Sequence, residues 1–181
     1  MADIPAEPGS AGGGPAVGGG PAVAGLIETL AAASLTLAAA ESCTAGLVAD
    51  SIAQVPGASR VFWGSFVTYS VDAKIKLLGV DPVIIHRHGA VSRETALAMA
   101  EGALEKSGAD VAVSVTGLAG PDGDGSGQKV GTVWIGIARR GFGDAVGPSA
   151  EAVCYHYTGD RNAIRNAAAA GAIAELLKRV H

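Results

Sequence analysis

Ser42 is the first candidate for chemistry, in the segment Glu41–Gly46, where a short apolar run gives way to residues with helical spacing. A side chain at such a junction is exposed at the end of a strand. The first turn of the helix also offers free backbone N–H groups, which can stabilise an oxyanion or a phosphate. A simple helix cap is the alternative. The segment therefore predicts either a nucleophile beside an anion site or a cap.

Lys74 is the candidate general base. On a helix over Val71–Leu78, it shares a side with Val71, Leu77 and Leu78, whereas Lys76 lies almost opposite. A lysine beside an apolar stripe is partly desolvated, which lowers its pKa toward the range of a usable base. The alternative is a lysine whose stem packs on the protein while its amine reaches water. Periodicity does not decide between the two.

Two further segments could bind an anion. A predicted strand runs into the glycine-rich segment Gly117–Gly127, whose backbone N–H groups could dock an anionic group. The spacing matches neither the dinucleotide fingerprint nor the Walker A motif, and a turn that merely needs glycine is the alternative. Arg161 lies at the start of a predicted helix, where a cation gains nothing from the helix dipole. A bound anion would explain its position, and a solvated arginine is the alternative.

Cys43 and two histidines offer rival chemistry. If the backbone is still extended at Cys43, its side chain and that of Ser42 point to opposite faces, so they cannot both face one pocket. Cysteine is also often a small buried hydrophobe. His88 could be a general base, although we interpret it as a structural turn histidine. Because no acidic or cysteine ligand lies near His86 and His88, we expect no metal site.

The elements that must position these residues alternate between helix and strand. Predicted helices cover 23–30, 44–54, 71–78, 93–106 and 161–180, with Ser92 and Asp160 as caps of the last two, and predicted strands cover 35–40, 60–70, 111–116, 130–139 and 151–157. Asp81-Pro82 opens a connection. The loop Gly141–Ser149 is too short for a helical crossover, which makes the last two strands antiparallel. The pattern predicts a three-layer α/β/α sandwich around a mixed, mostly parallel sheet of about five to six strands.

Composition limits the class of protein. The length of 181 residues suggests one folded domain, and an aromatic content of 4% predicts an aliphatic core. We interpret residues 1–22, rich in Gly, Pro and Ala, as a disordered tail without a secretory signal, and residues 23–181 as the domain.

Charge, hydropathy and cysteine content limit the binding partners and the cellular location that we expect. A net charge of −4 argues against a nucleic-acid partner. No apolar run reaches the roughly 18 residues that a membrane span needs. Two cysteines are too few for a disulfide framework, so a cytoplasmic location is expected.

Six ordered segments resemble the CinA C-terminal, or PncC, family. The family pattern runs A-E-S-C-T-G-G, V-T-Y-S-x-x-A-K, H-G-A-V-S, G-x-A-G-P-D-G, V-G-T-V and G-D-R-x-x-[IV]-R. The corresponding segments of this chain are Ala40–Gly46, Val67–Lys74, His88–Ser92, Gly117–Gly123, Val130–Val133 and Gly159–Arg165. Together they cover the chain from about Val23 to its end.

The resemblance implies hydrolysis of the carboxamide of nicotinamide mononucleotide to nicotinic acid mononucleotide and ammonia, without metal or cofactor. It makes Ser42 the nucleophile and Lys74 its base, with Tyr69 and Thr116 as polar neighbours of the pair. The residues expected to bind the substrate or its oxyanion are Thr44, Ala45, Gly46, Gly117, Ala119, Gly120, Arg161 and Arg165. A small-molecule nucleotide is the expected partner, and the resemblance suggests a homodimer or larger homo-oligomer.

Some residues depart from the family pattern. Ala45 stands where many members have glycine, and Lys129 where proline often precedes V-G-T-V. The long loop Arg140–Ala150 shifts the spacing of Arg161, so Arg165 could be the substrate arginine instead. The larger CinA proteins carry an extra N-terminal domain that this sequence lacks. A non-catalytic nucleotide-binding or scaffold module, linked to competence or DNA damage, is the alternative function, and an amidase for another pyridine or sugar-phosphate amide is a third.

Overall fold

The computed structural model describes residues 19–141 and 149–180, which form a sheet covered by helices on both faces. The helices are α1 (Pro21–Ala32), α2 (Leu47–Ala53), α3 (Val71–Leu78), α4 (Pro82–His88), α5 (Arg93–Ser107) and α6 (Arg161–Leu177). The strands are β1 (Leu37–Glu41), β2 (Phe62–Val67), β3 (Val111–Gly117), β4 (Thr132–Arg139) and β5 (Ser149–His156). A 3-10 turn, Ala58–Arg60, leads into β2. No helix within the described ranges is both long and apolar enough to cross a membrane.

The sheet has the strand order β2-β1-β3-β4-β5. Strand β1 runs parallel to β2 and to β3, whereas β4 is antiparallel to both of its neighbours. The predicted mixed α/β sheet is confirmed, but "mostly parallel" overstates it, because half of the strand pairings are antiparallel. The three mutually parallel strands all end at the same edge of the sheet, which is where ligands bind in open α/β folds.

One face of the sheet carries its large aliphatic side chains. Alternation along the strands sends Val113 and Val115 of β3 and Ile135 and Ile137 of β4 to this face, where α1, α2 and α6 pack. These side chains are almost completely buried, as are Leu26 and Leu30 of α1. Burial of this continuous apolar layer is the main source of stability for the fold.

The opposite face is lined with alanine and packs against α5. Ala38, Ala40 and Ala112 meet Met99 on this side. Small residues let the helix lie close to the sheet, and a side chain at Gly136 would meet the carbonyl oxygen of Ala96 at 2.5 Å. The strand alanines and Gly136 therefore allow close packing of α5 on the sheet, and the predicted three layers are confirmed.

Helix α4 was not predicted from the sequence, which gave only a connection after Asp81. None of its residues is buried, so it has no apolar periodicity to reveal it. Its signals are local: the carboxylate of Asp81 accepts a hydrogen bond from Val83 N at 2.8 Å, and Pro82 stands at the first helical position. The predicted caps Ser92 and Asp160 do accept from the backbone N–H three residues on.

Several boundaries also differ from the predicted ones. Helix α1 begins at Pro21, so two residues assigned to the tail belong to the helix. Strand β1 ends at Glu41 rather than Ala40, and α6 ends at Leu177 rather than Val180. Residues 1–18 of the predicted tail and residues 142–148 of the predicted loop lie outside the described residues.

Candidate active site

The candidate site is a cavity of about 290 Å³ at the edge where β1, β2 and β3 end. Of the residues predicted from the sequence, it is lined by Ser42, Lys74, Tyr69, Thr116, Gly117, Ala119, Gly120 and Arg161. Parallel pairing explains how residues so distant in sequence meet. Ser42 follows β1, Lys74 lies on the helix after β2, and Gly117 ends β3, all at the same edge of the sheet.

Ser42 and Lys74 form a direct pair at the floor of this cavity. Lys74 Nζ lies 2.8 Å from Ser42 Oγ and donates a second hydrogen bond to the carbonyl oxygen of Thr68, also at 2.8 Å. Lys74 is 1% exposed and Ser42 8% exposed. The amine is thus held between the serine and a backbone carbonyl, away from bulk water.

Burial sets the protonation of Lys74. Because charged ammonium is poorly solvated there, burial lowers the pKa of Lys74 from 10.5 to about 8. Within the described ranges, no carboxylate lies within 4.0 Å of Nζ to stabilise the charged form. Near neutral pH a usable fraction of the amine is therefore neutral and able to accept a proton.

Replacement of Lys74 by methionine should change how stability depends on pH. The unfolded chain holds this lysine at a pKa of 10.5 and the folded protein at about 8, so the unfolded state binds more protons between these values. The stability of the parent should therefore rise with pH across this window. Relative to the variant, the free energy of unfolding of the parent should gain roughly 3 kcal/mol from pH 7 to above pH 10.5. Urea unfolding at several pH values measures this difference, and a constant difference would contradict it.

Cys43 also contributes to the cavity lining, next to Ser42. The expectation that both could not face one pocket assumed an extended backbone, but β1 ends at Glu41, before either residue. Burial raises the pKa of the Cys43 thiol to about 11, so almost no thiolate is present at neutral pH. The amine of Lys74 is hydrogen-bonded to Ser42, which favours Ser42 as the nucleophile.

The glycine-rich turn after β3 also lines the cavity. Gly117 has no room for a side chain, since a Cβ would lie 2.9 Å from the carbonyl oxygen of Thr132. Thr116 Oγ1 donates to the carbonyl oxygen of Ala90 at 2.7 Å, which ties the strand end to the loop before α5. Among the hydrogen bonds of the described residues, none uses the backbone N–H of Ala119 or Gly120. These two amides are therefore free to donate to a bound oxyanion.

The turn Thr44–Gly46 does not line the cavity. The Ala45 N–H donates to the carbonyl oxygen of Ser42 at 3.2 Å, and the Gly46 N–H donates to the Glu41 carboxylate at 2.8 Å. Thr44 is fully buried. The geometry does not support the predicted substrate contacts of these three residues, because the N–H groups of Ala45 and Gly46 are already used within the protein.

The two arginines of α6 have different surroundings. Arg161 lines the cavity and donates to the carbonyl oxygen of Gly120 and, at 2.7 Å, to the hydroxyl of Tyr69. Arg165 does not line the cavity, and its guanidinium donates instead to the carbonyl oxygens of Cys43 and Thr44. Of the two candidate substrate arginines, Arg161 alone is placed at the cavity.

Sequence reasoning missed several residues of the site. The Thr68 carbonyl that holds Lys74 is a backbone group and carries no sequence signal. Glu41 is fully buried at the end of β1, and a carboxylate closing the apolar run Leu37–Ala40 was an available signal. Asp122 and Asp124 are exposed on the cavity's rim. They add two carboxylates to the lining that also contains Arg161.

The histidines lie apart from this chemistry. His88 is the last residue of α4, rather than part of a turn, and its Nδ1 lies 3.7 Å from the Glu94 carboxylate. Within residues 19–141 and 149–180, no group of three His, Cys, Asp or Glu side chains is arranged to hold a metal ion.

Comparison with known proteins identifies the family. The family model of the CinA C-terminal domain matches residues 21–180, which include the whole sheet and every residue of the cavity. The chain belongs to this family. A protein of Symbiobacterium thermophilum, named as competence-damage inducible, is 51% identical over 149 residues. These cover 80% of this chain and 34% of the relative. A CinA-like protein of Chlorobaculum tepidum is 47% identical over 145 residues, with the same coverage. The chain thus spans about a third of the length of these curated relatives.

Solved CinA structures share the fold. A CinA superfamily protein of Escherichia coli is 33% identical with a TM-score of 0.81, and the match covers 87% of each chain. A competence/damage inducible protein of Agrobacterium tumefaciens is 37% identical with a TM-score of 0.80, covering 87% of this chain and 92% of the other. The α/β architecture described above is therefore that of the CinA superfamily.

Proposed function

We propose that this CinA-family domain hydrolyses the carboxamide of nicotinamide mononucleotide to nicotinic acid mononucleotide and ammonia. The observation that carries the proposal is the 2.8 Å contact between Lys74 Nζ and Ser42 Oγ, made by a lysine whose pKa is lowered to about 8. A serine hydroxyl is inert at its own pKa and needs an adjacent base, which a buried, largely uncompensated lysine provides.

The reaction proceeds in two halves. The lone pair of neutral Lys74 takes the Ser42 hydroxyl proton as Oγ attacks the carboxamide carbon. When the tetrahedral intermediate collapses, Lys74 gives this proton to the departing nitrogen, which leaves as ammonia. Water then attacks the resulting ester, transferring a proton to Lys74, which returns it to Ser42. The hydrogen bond to the Thr68 carbonyl fixes the direction of the amine during these transfers.

The oxyanion needs donors on the far side of the carbonyl from Lys74. The N–H groups of Ala119 and Gly120 suit this role, since both residues line the cavity with Ser42. Fixed backbone donors stabilise developing charge without reorganisation, and removal of one such donor typically costs about 10²–10³ in kcat. The turn after β3 is therefore assigned to transition-state stabilisation.

The size of the cavity suits a pyridine ring whose ribose and phosphate lie outside it. Its volume of about 290 Å³ is at the lower end of ligand pockets. A pyridine ring with its carboxamide fits beside Ser42, and the ribose phosphate then extends toward the rim. Arg161 is exposed at this rim and can form a bidentate contact with phosphate.

The test is ammonia release from nicotinamide mononucleotide by the purified protein, without added metal. The nucleotide's nicotinamide base and a second pyridine nucleotide amide serve as comparison substrates. We expect turnover of the mononucleotide and a far lower kcat/KM for the free base. Nucleotide-induced thermal stabilisation without ammonia release would overturn the proposal in favour of a binding module.

Replacement of Arg161 by methionine should raise KM for the mononucleotide about tenfold or more, with a small change in kcat, because the phosphate is remote from the bond that breaks. Tyr69→Phe is the matched control, since it removes the hydroxyl that accepts from Arg161 and leaves the guanidinium in place. Steady-state kinetics measure both variants. A fall in kcat at unchanged KM would contradict the prediction that Arg161 binds the phosphate.

A further inference from the structure

The turn that carries the nucleophile is held between two oppositely charged side chains that the mechanism does not use. Glu41 precedes Ser42 directly, and Arg165 approaches from α6. Glu41 accepts hydrogen bonds from backbone N–H groups of the turn and of α2, and Arg165 donates hydrogen bonds to backbone carbonyl groups of the turn. Together they hold the backbone between residues 43 and 49, directly after Ser42.

Glu41 uses both oxygens of its carboxylate on this segment. Oε2 accepts from the N–H groups of Gly46 at 2.8 Å and Val48 at 3.1 Å, and Oε1 accepts from that of Ala49 at 3.0 Å. Oε1 also accepts from the Ser65 hydroxyl of β2 at 2.9 Å. The side chain is fully buried, and within the described ranges it has no cationic partner within 4.0 Å. Burial of a carboxylate costs desolvation free energy, and here the four hydrogen bonds offset that cost.

Arg165 completes the restraint from the other side. Its Nε donates to the carbonyl oxygen of Cys43 at 3.0 Å, and one terminal nitrogen donates to that of Thr44 at 2.9 Å. A bidentate guanidinium fixes two successive carbonyls in one orientation, which a lysine cannot do. The residue is more than 120 positions away in sequence, so this contact links the nucleophile's turn to α6.

The turn needs restraint because its backbone is strained. Ala45 has a φ of +50° and Gly46 a φ of +100°, both in the region with positive φ that most side chains avoid. A non-glycine residue such as Ala45 is strained there, and the conformation persists only where surrounding contacts determine it. The contacts of Arg165 with residues 43 and 44 and that of Glu41 with residue 46 lie on either side of Ala45 and meet this requirement.

We infer that Glu41 and Arg165 form a clamp whose role is to position Ser42 Oγ against Lys74, and that Arg165 is a positioning residue rather than a substrate arginine. The kinetic test of this inference rests on the proposed function, because it measures kcat and KM for hydrolysis of the mononucleotide. The clamp acts through the backbone of the turn and touches neither the substrate nor the reacting atoms.

Arg165→Met and Glu41→Gln test the clamp, with Asp110→Asn as the matched control. The Asp110 carboxylate likewise accepts from backbone and hydroxyl, at Thr36, but it does so beyond the opposite end of β1. We expect kcat to fall about 10–100-fold in the two clamp variants with KM within about threefold, since a misplacement of 1 Å can cost about 10²-fold in rate. The control should keep kcat within about twofold at a similar loss of stability. Arg165→Lys should recover only part of the rate, because lysine lacks the bidentate fork.

Crystal structures of Arg165→Met and Glu41→Gln test the clamp independently of the proposed function. We expect the Ser42 Oγ–Lys74 Nζ separation to increase beyond hydrogen-bond distance in at least one of them. An unchanged separation overturns the clamp, and so does a raised KM with kcat unchanged in Arg165→Met. If the parent protein does not hydrolyse nicotinamide mononucleotide, the proposed function fails, and the separation alone still decides whether the clamp exists. If Glu41→Gln does not fold, Arg165→Met and Arg165→Lys carry the same test.

Discussion

Replacement of Ser42 by alanine should lower kcat for ammonia release by about 10⁴-fold or more, as expected when a covalent nucleophile is removed from its catalytic unit. The variant should stay folded, because the alanine fits the space of the serine and Lys74 keeps its hydrogen bond to the Thr68 carbonyl. Its affinity for the mononucleotide should change little. Single-turnover ammonia release and equilibrium binding measure these two quantities separately.

Cys43→Ala is the control for this experiment, since it removes the neighbouring nucleophile from the same cavity lining. Burial raises the pKa of the Cys43 thiol to about 11, which leaves it almost entirely protonated. We therefore expect this variant to keep kcat within about tenfold of the parent, the difference reflecting packing rather than chemistry. Turnover that survives Ser42→Ala and disappears in Cys43→Ala would transfer the nucleophile to the cysteine.

Replacement of Lys74 by methionine should lower kcat by about 10²–10⁴-fold, the usual contribution of a general base. The pH dependence of kcat/KM in the unsubstituted protein is a more specific test of the role of Lys74 as a base. Because the neutral amine is the active form and the pKa of Lys74 is about 8, kcat/KM should rise with pH below this value and level off above it. The variant should lose this rise. Stopped assays from pH 6 to 9.5, about 1.5–2 pH units on either side of this pKa, measure both.

Lys74→Arg provides the matched control, because arginine keeps a positive charge on a long side chain but does not deprotonate in proteins. If Lys74 acts as a base, this variant should be about as inactive as the methionine variant. An arginine variant with near-parental kcat would mean that the charge of residue 74 is used rather than its lone pair. That result would contradict the mechanism while leaving Ser42 as nucleophile.

The local parts of the site were predictable from the sequence because local rules govern them. The serine at the end of the first strand, the α3 boundaries Val71–Leu78 and the caps Ser92 and Asp160 each depend on residues a few positions apart. The six ordered motifs indicated the family, and the family model confirms it. The exposed helix α4 escaped prediction because it buries no side chain and so has no apolar period.

Periodicity also misjudged the surroundings of Lys74. The predicted stripe included Val71 and Leu77, yet both are exposed, and only Lys74 and Leu78 of α3 are buried. What buries the amine is the convergence of three strand ends, which no pattern within one helix contains. The lowered pKa of Lys74 is thus a property of the assembled sheet edge.

Local pattern and motif order were enough to give the residue types at the site, the order of the elements that carry them and the family. Contacts between distant segments bring these residues together. Parallel pairing of β1 with β2 and β3 placed Ser42 and Lys74, 32 residues apart, within 2.8 Å. It also separated two arginines four positions apart on α6. Successive turns of a helix face different neighbours, so Arg161 reaches the cavity and Arg165 reaches the backbone behind the nucleophile. Such assignments depend on contacts between distant segments, and those exist only once the chain has folded.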